Sequence, residues 1–254
     1  MVPKDSQRLL EAIKSKRAKT DPKTTWQKCW REVFCLSKVH GKDGAQYDIF
    51  DNWISGREIR VFKMPEVDER AVKPIIEGVN DLVRDIGLLD FLIDIRKNYW
   101  GPHKSIIQQV QGATRSDGRL DGHELGLMLL AEKYRDPTFG GSPHADLIIT
   151  GQHIILGDEN WGQSEFDKGY IVMSLPGGRQ NSVEFLRRIA KHEAGHLFGF
   201  NQHHDSEDIP GYEEPPDCNM LWKASTSYTC EKCRDALVNI WRGIEGRTRE
   251  IFLK

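Results

Sequence analysis

Nowhere in the 254 residues does an apolar run approach the roughly 18 residues that a membrane-spanning helix needs. The first residues alternate polar and apolar instead of forming the hydrophobic block of a signal peptide, so a soluble, cytoplasmic protein without a membrane partner is expected. Net charge is nearly absent: Lys+Arg 36 against Asp+Glu 38 leave −2, which excludes a uniformly basic nucleic-acid-binding surface. Cysteines are few and odd in number, five in all, so a disulfide framework is not expected. There is no internal repeat, and no GxSxG or comparable nucleophile motif that would support a covalent acyl-enzyme. What the chain does have is 38% hydrophobic residues, enough for one core of ordinary size.

The near-neutral total conceals an asymmetry. Residues 1–31 carry nine Lys/Arg and three Asp/Glu, a net +6, so the remainder carries −8. A short basic amphipathic stretch with Leu9, Leu10 and Ile13 is followed by a polar DPKTT linker and then by Trp26, Trp30 and Trp53. Residues 1–56 therefore read as a basic, Trp-rich accessory region whose aromatics pack on a main domain, with a nucleic-acid or partner-binding arm as the alternative.

From Arg57 the pattern is that of a compact mixed α and β domain. REIRVFKM reads as a strand ended by Pro65, and Val72, Ile75, Ile76, Val79, Leu82, Val83 and Ile86 recur at helical steps before Gly87. DFLIDI, residues 90–95, reads as a second strand. Residues 120–135 read as a helix in which Asp121 and Glu124 have capping-box spacing. ADLIITGQHIIL (145–156) and GYIVMSL (169–175) are further strand material, the first with a Gly-centred break. A helix is expected from near Asn181, with Glu184 three residues on, to about Gly199. Its inward stripe is expected to be Phe185, Ile189, His192 and His196, which puts two histidines where core residues normally stand.

The segment HEAGHLFGFNQHH, residues 192–204, holds four of the nine histidines. His192 and His196 lie one helical turn apart, so both imidazoles project from one face and can occupy two corners of a zinc tetrahedron. Glu193 sits beside them, where a carboxylate can act as general base on a metal-activated water without ligating the metal. Gly199 follows where a sharp turn can return a third ligand, either His203 or His204, with His203 the favoured one. CEKC, Cys230 to Cys233, has the gap that lets two thiolates bind one zinc. Cys218 is the obvious third ligand and His204 the fourth, which makes a structural site of three cysteines and one histidine. Cys29 and Cys35 are expected to be ordinary thiols. About two zinc ions per chain are expected, one catalytic and one structural.

These pieces together resemble the archaemetzincins, a branch of the metzincin clan of zinc metallopeptidases, whose pattern is HExxHxxGxxHC, then CxM, then CxxC. HEAGHLFGFNQHH, CNM at 218–220 and CEKC follow in that order, and the resemblance spans about residues 57–245. It departs in one extra residue between Gly199 and the third histidine, and in His204 standing where the family has cysteine. The resemblance implies an α+β fold, three-layer and α/β/α-like, with a twisted mixed sheet, the active-site helix at about 181–199 and a small C-terminal subdomain at about 200–254. It implies His192, His196 and His203 as catalytic zinc ligands, Glu193 as general base and acid, Met220 as the Met-turn residue beneath the metal, and a structural zinc on Cys218, Cys230 and Cys233. The activity it implies is hydrolysis of peptide bonds, of endopeptidase or aminopeptidase type, in peptide or protein substrates.

The cleft is then expected between about Gly157–Gln163 and Asp205–Asp217. The second segment is acidic without Lys or Arg, which would disfavour acidic substrates, although a solvated loop away from the substrate explains it equally. Two rival readings are a zinc-stabilised nucleic-acid- or protein-binding protein without turnover, and a DNA-linked HExxH protease. The mixed charge around CEKC speaks against the latter.

Overall fold

The computed structural model describes residues 38–40, 46–48, 53, 54, 56–135, 144–155, 161–166, 168–176, 182–200, 218–220 and 226–252. Its architecture is mixed α/β, with a five-stranded, mostly parallel sheet and, among the described residues, six α-helices. A separate antiparallel pair, β1 (Lys38–His40) and β2 (Gln46–Asp48), precedes it.

The sheet is built on three runs that are buried at every position: β3 (Ile59–Lys63), β5 (Ala145–Thr150) and β7 (Tyr170–Ser174). Continuous burial is what a parallel strand covered on both faces requires. The order is β4-β3-β5-β7-β6, with β4 (Tyr99–Gly101) at one edge and β6 (Gly162–Glu165) at the other. Only the β6–β7 pairing is antiparallel.

Helix α1 (Val72–Asp85) buries the predicted stripe from Val72 to Val83, and Gly87 ends its turn at a φ of +76°. The chain passes from β3 to the edge strand β4 by way of α1, then back to β5 by way of α3 (Lys104–Ala113) and α4 (Gly122–Arg135). Right-handed crossovers in opposite directions put α1 on one face and the α3–α4 pair on the other. Helix α5 (Val183–Leu197) packs on α1. Their approach is set by Gly78, where any β-carbon would collide with the Arg187 carbonyl oxygen. Arg187 bonds Asp81, and Lys191 bonds Asp85 at 2.6 Å, across the same seam.

Several sequence expectations change. Residues 90–95 do not form a strand; they make a 3-10 turn at Leu89–Phe91 and lead into the short α2 (Ile95–Asn98). The cause lies on α1: the Asn80 side chain donates to the Ile93 carbonyl at 2.9 Å and accepts from its N–H at 2.8 Å, taking the bonds a neighbouring strand would have made. Asp94 then caps α2 through the Arg96 N–H. The cap of α5 is Ser182, not Asn181, with its hydroxyl accepting from the Phe185 N–H at 3.1 Å. Asp121 caps α4 as expected, accepting from the Glu124 N–H at 3.0 Å. Helix α3 and strand β6 have no counterpart in the sequence reading.

Trp53, from the N-terminal region, is fully buried in an aromatic group with Phe91, Phe166, Phe198 and Trp241. Its indole donates to the Phe166 carbonyl at 2.8 Å, and that of Trp241, on α6 (Glu231–Phe252), donates to the Phe198 carbonyl at 2.9 Å. The turn that leaves α5 is thus held from both ends of the chain. Trp26 and Trp30 lie outside the described residues. No helix among the described residues is long and apolar enough to cross a membrane.

Candidate metal centre

Helix α5 carries HEAGH in its last two turns. Its deepest residues are Leu186, Ala190, Ala194 and Leu197, while Phe185 and Ile189 are only half-buried. The expected inward stripe is therefore displaced by about one position around the helix, which is 100°. His192 and His196 stand on the shoulder of the buried face, His192 buried and His196 half-buried.

Each imidazole is oriented by a backbone carbonyl. His192 Nδ1 donates to the Asn219 oxygen at 2.7 Å and His196 Nδ1 to the Phe200 oxygen. Protons at both Nδ1 atoms leave lone pairs on both Nε2 atoms, and these face each other at 3.1 Å. Two lone pairs so placed repel unless a cation lies between them. Nitrogens on two corners of a tetrahedral zinc stand about 3.3 Å apart, so the pair fits that metal. Phe200 can reach back because the helix ends at Phe198 and Gly199 takes a φ of +112°, the sharp turn the sequence suggested. His203 and His204, the candidate third ligand and the candidate fourth ligand of the second site, lie outside the described residues, as does the Asp205–Asp217 loop.

Glu193 is 6% exposed and points under strand β6. Ser164 on that strand lies 2.9 Å from Glu193 Oε2 and 2.8 Å from the Glu193 backbone oxygen. Gly162, two residues earlier and so on the same face of β6, makes the approach possible, since a β-carbon there would run into the Glu193 side chain. Burial pushes the Glu193 carboxyl up to about 7, against the Ser164 hydrogen bond, which lowers it. On the other side of the helix Met220 is fully buried, and a β-carbon on Gly195 would strike its thioether.

The second cluster lies immediately behind. The ligand atoms of Cys218, Cys230 and Cys233 are all within 4.8 Å of one another, and all three residues are buried. Cys218 Sγ and Cys233 Sγ are 3.8 Å apart, close to the about 3.8 Å edge of a zinc–thiolate tetrahedron. Hydrogen bonding with the neighbouring sulfurs of Cys218 and Cys230, and then burial, push the Cys233 thiol up. A soft metal in the centre is the physical alternative to three buried thiols.

The structure thus brings together His192, Glu193, His196 and Met220, and separately Cys218, Cys230 and Cys233. Ser164, Gly162 and Asn219 are not legible as site residues in the sequence. The first two share a strand face at i, i+2, but GQSE has no apolar alternation to announce a strand. Asn219 acts through its carbonyl oxygen, which any residue possesses.

No protein-family model and no curated protein matches the chain. Among solved structures it resembles a zinc-dependent peptidase from Methanocorpusculum labreanum, with 19% identity and a TM-score of 0.46 over 70% of this chain and 99% of that one. It also resembles archaemetzincin from Methanopyrus kandleri, with 14% identity and a TM-score of 0.45 over 74% and 95% of the two chains. A third likeness is to archaemetzincin from Archaeoglobus fulgidus complexed with malonate, with 15% identity and a TM-score of 0.40 over 70% and 99%.

Proposed function

We propose that this protein is a zinc-dependent metallopeptidase that hydrolyses peptide bonds in peptide or protein substrates. The observation that carries the reading is the facing of His192 Nε2 and His196 Nε2 at 3.1 Å, with both opposite nitrogens committed to carbonyls, beside a buried Glu193. That arrangement serves a metal with an adjacent proton acceptor, and a purely structural site has no use for the acceptor.

His192 and His196 would hold the catalytic zinc with His203 as third ligand, and Cys218, Cys230, Cys233 and His204 would hold a second, structural zinc, about two ions in all. When bound, the catalytic ion supplies Lewis-acid polarisation of the scissile carbonyl and acidifies a water molecule. Glu193 accepts the proton of the attacking water and returns it to the leaving amine. Its burial keeps competing solvent from the carboxyl, and Ser164 holds the carboxyl in place. Met220 fills the space under Gly195 and so fixes the floor of the site. Residues 57–254 form the peptidase unit, preceded by an accessory region that contributes Trp53 to its core.

Replacing Glu193 with Ala tests this directly. Zinc content, measured on the purified full chain, should be unchanged while hydrolysis of a mixed peptide library is lost. Full activity in Glu193→Ala would overturn the assignment.

A further inference from the structure

Three consecutive residues, Cys218, Asn219 and Met220, are all fully buried and each touches a different part of the two clusters. Cys218 contributes its sulfur to the thiol cluster and accepts from the N–H groups of Met220 at 3.5 Å and Cys230 at 3.4 Å. Asn219 accepts the His192 Nδ1 proton at 2.7 Å, donates from Nδ2 to the Arg188 carbonyl at 3.0 Å one turn earlier in α5, and donates its backbone N–H to Tyr228 at 2.6 Å. Met220 fills the space against Gly195 between the two histidines. A parallel tie runs one residue away: Lys191 donates to the Ser227 carbonyl at 2.6 Å, three residues before Cys230. A shift of the backbone that carries Cys218 therefore also moves the Asn219 carbonyl that sets the tautomer and direction of His192.

We propose that the three-thiol cluster is a positioning device for the histidine pair, so that a metal held by Cys218, Cys230 and Cys233 raises the metal affinity of His192 and His196 through the Asn219 carbonyl. The proposal rests on the reading of both clusters as metal sites. Its physical basis is ordering: a metal that locks the sulfurs also locks the 218–220 segment, and His192 is then presented with Nε2 already aimed. Without it, the second site must supply that ordering from its own binding free energy. Linkage makes the effect reciprocal, so an ion on the histidines tightens the thiol site by the same factor.

The test uses cobalt(II) as probe on the reduced full chain. Cobalt in the thiol cluster gives intense thiolate-to-metal charge-transfer bands, and cobalt on the histidines gives only weaker ligand-field bands, so the two sites are read separately. Chelator competition on wild type and Cys233→Ser should show the histidine-site affinity falling fivefold or more in the variant, the range expected of a coupling of about 1 kcal/mol or above. A smaller change overturns the proposal. If Cys233→Ser does not fold by circular dichroism, His196→Ala decides through the reciprocal term: thiol-site affinity should fall fivefold or more, and a smaller change again overturns it. Ile106→Val, a buried change on the opposite face of the sheet, controls for general loosening. It should leave both affinities as they are, and a fall equal to that of the cluster variant would overturn the idea. Peptide hydrolysis on the same samples separates the two readings: coupled affinities without turnover would sink the peptidase assignment alone, and turnover with independent affinities would sink the coupling alone.

Discussion

Ser164 on the edge strand lies within 2.9 Å of both the Glu193 carboxyl oxygen Oε2 and the Glu193 backbone oxygen, so one hydroxyl touches both the chemistry and the helix that carries it. A hydroxyl has one proton to donate, and an ionised carboxylate is the stronger acceptor. Ser164→Ala should lower kcat about tenfold, the equivalent of about 1.4 kcal/mol for one charge-assisted bond, with KM and zinc content little changed. Ser164→Thr, which keeps the hydroxyl, should recover most of the loss. Equal kcat in the Ala variant would remove Ser164 from the machinery.

Gly162 poses the opposite problem, too little space. A β-carbon there meets the outer atoms of the Glu193 side chain, a flexible group that can swing away, and no backbone atom is among its nearest contacts. Gly162→Ala should therefore fold, at a cost of about 1–3 kcal/mol, and retain zinc, while losing most of its hydrolysis because the carboxyl is displaced. Denaturant unfolding and peptide turnover on one preparation check both halves. A variant that does not fold, or one that stays fully active, contradicts the geometry.

The parts of this site that were legible in the sequence are those that depend on local periodicity and on side-chain chemistry. HEAGH announces itself through i, i+4 imidazoles on a capped helix, β5 and β7 through the apolar stretches Leu147–Ile149 and Tyr170–Met173, and β3 through Ile59, Val61 and Phe62 before Pro65. The face of α5 was read one position off because Phe185 and Ile189 are larger and more apolar than Ala190 and Ala194, yet the close approach of α1 at Gly78 selects the small residues for burial. The strand expected at 90–95 failed because a single distant side chain, Asn80, satisfied its backbone. Strand β6 was invisible because its polar sequence becomes a strand only by pairing with β7.

Strand β6 is anchored by Glu165, and that anchor depends on pH. Burial alone would raise the Glu165 carboxyl, but Lys168, a hydrogen bond from the Tyr170 hydroxyl at 2.7 Å and His123 at 3.2 Å outweigh it, so the net shift is downward from 4.5. A carboxyl lowered in the folded state contributes stability above its unfolded pKa and loses that contribution as the pH falls through the folded value. Glu165→Gln should therefore be less stable than wild type at pH 7 by about 1 kcal/mol, with the gap closing as the pH falls below 4.5. Unfolding midpoints for both proteins from pH 3 to 8 give the comparison. A gap that stays constant over that range would mean the carboxylate charge contributes nothing.

The N-terminal limit of the peptidase unit can be tested through Trp53. The change in charge and tryptophan pattern puts the boundary after residue 56, but Trp53 sits fully buried against Phe91, Phe166, Phe198 and Trp241. Gly169, at a φ of +64°, has no β-carbon because the indole occupies that space. Removing so large a buried side chain costs about 3–5 kcal/mol, a large share of the stability of an ordinary domain. A chain that starts at Arg57 should therefore unfold at much lower denaturant than one that starts at Phe50, and Trp53→Ala in the full chain should reproduce most of that loss. Trp53→Phe should fall between, keeping the edge-to-face packing but leaving the Phe166 carbonyl without its indole donor. Because Phe198 follows the HEAGH helix directly, the shorter chain should also hold zinc more weakly at the histidine pair. Equal midpoints for the two truncations would show that the aromatic group closes without Trp53 and that the boundary at residue 56 stands.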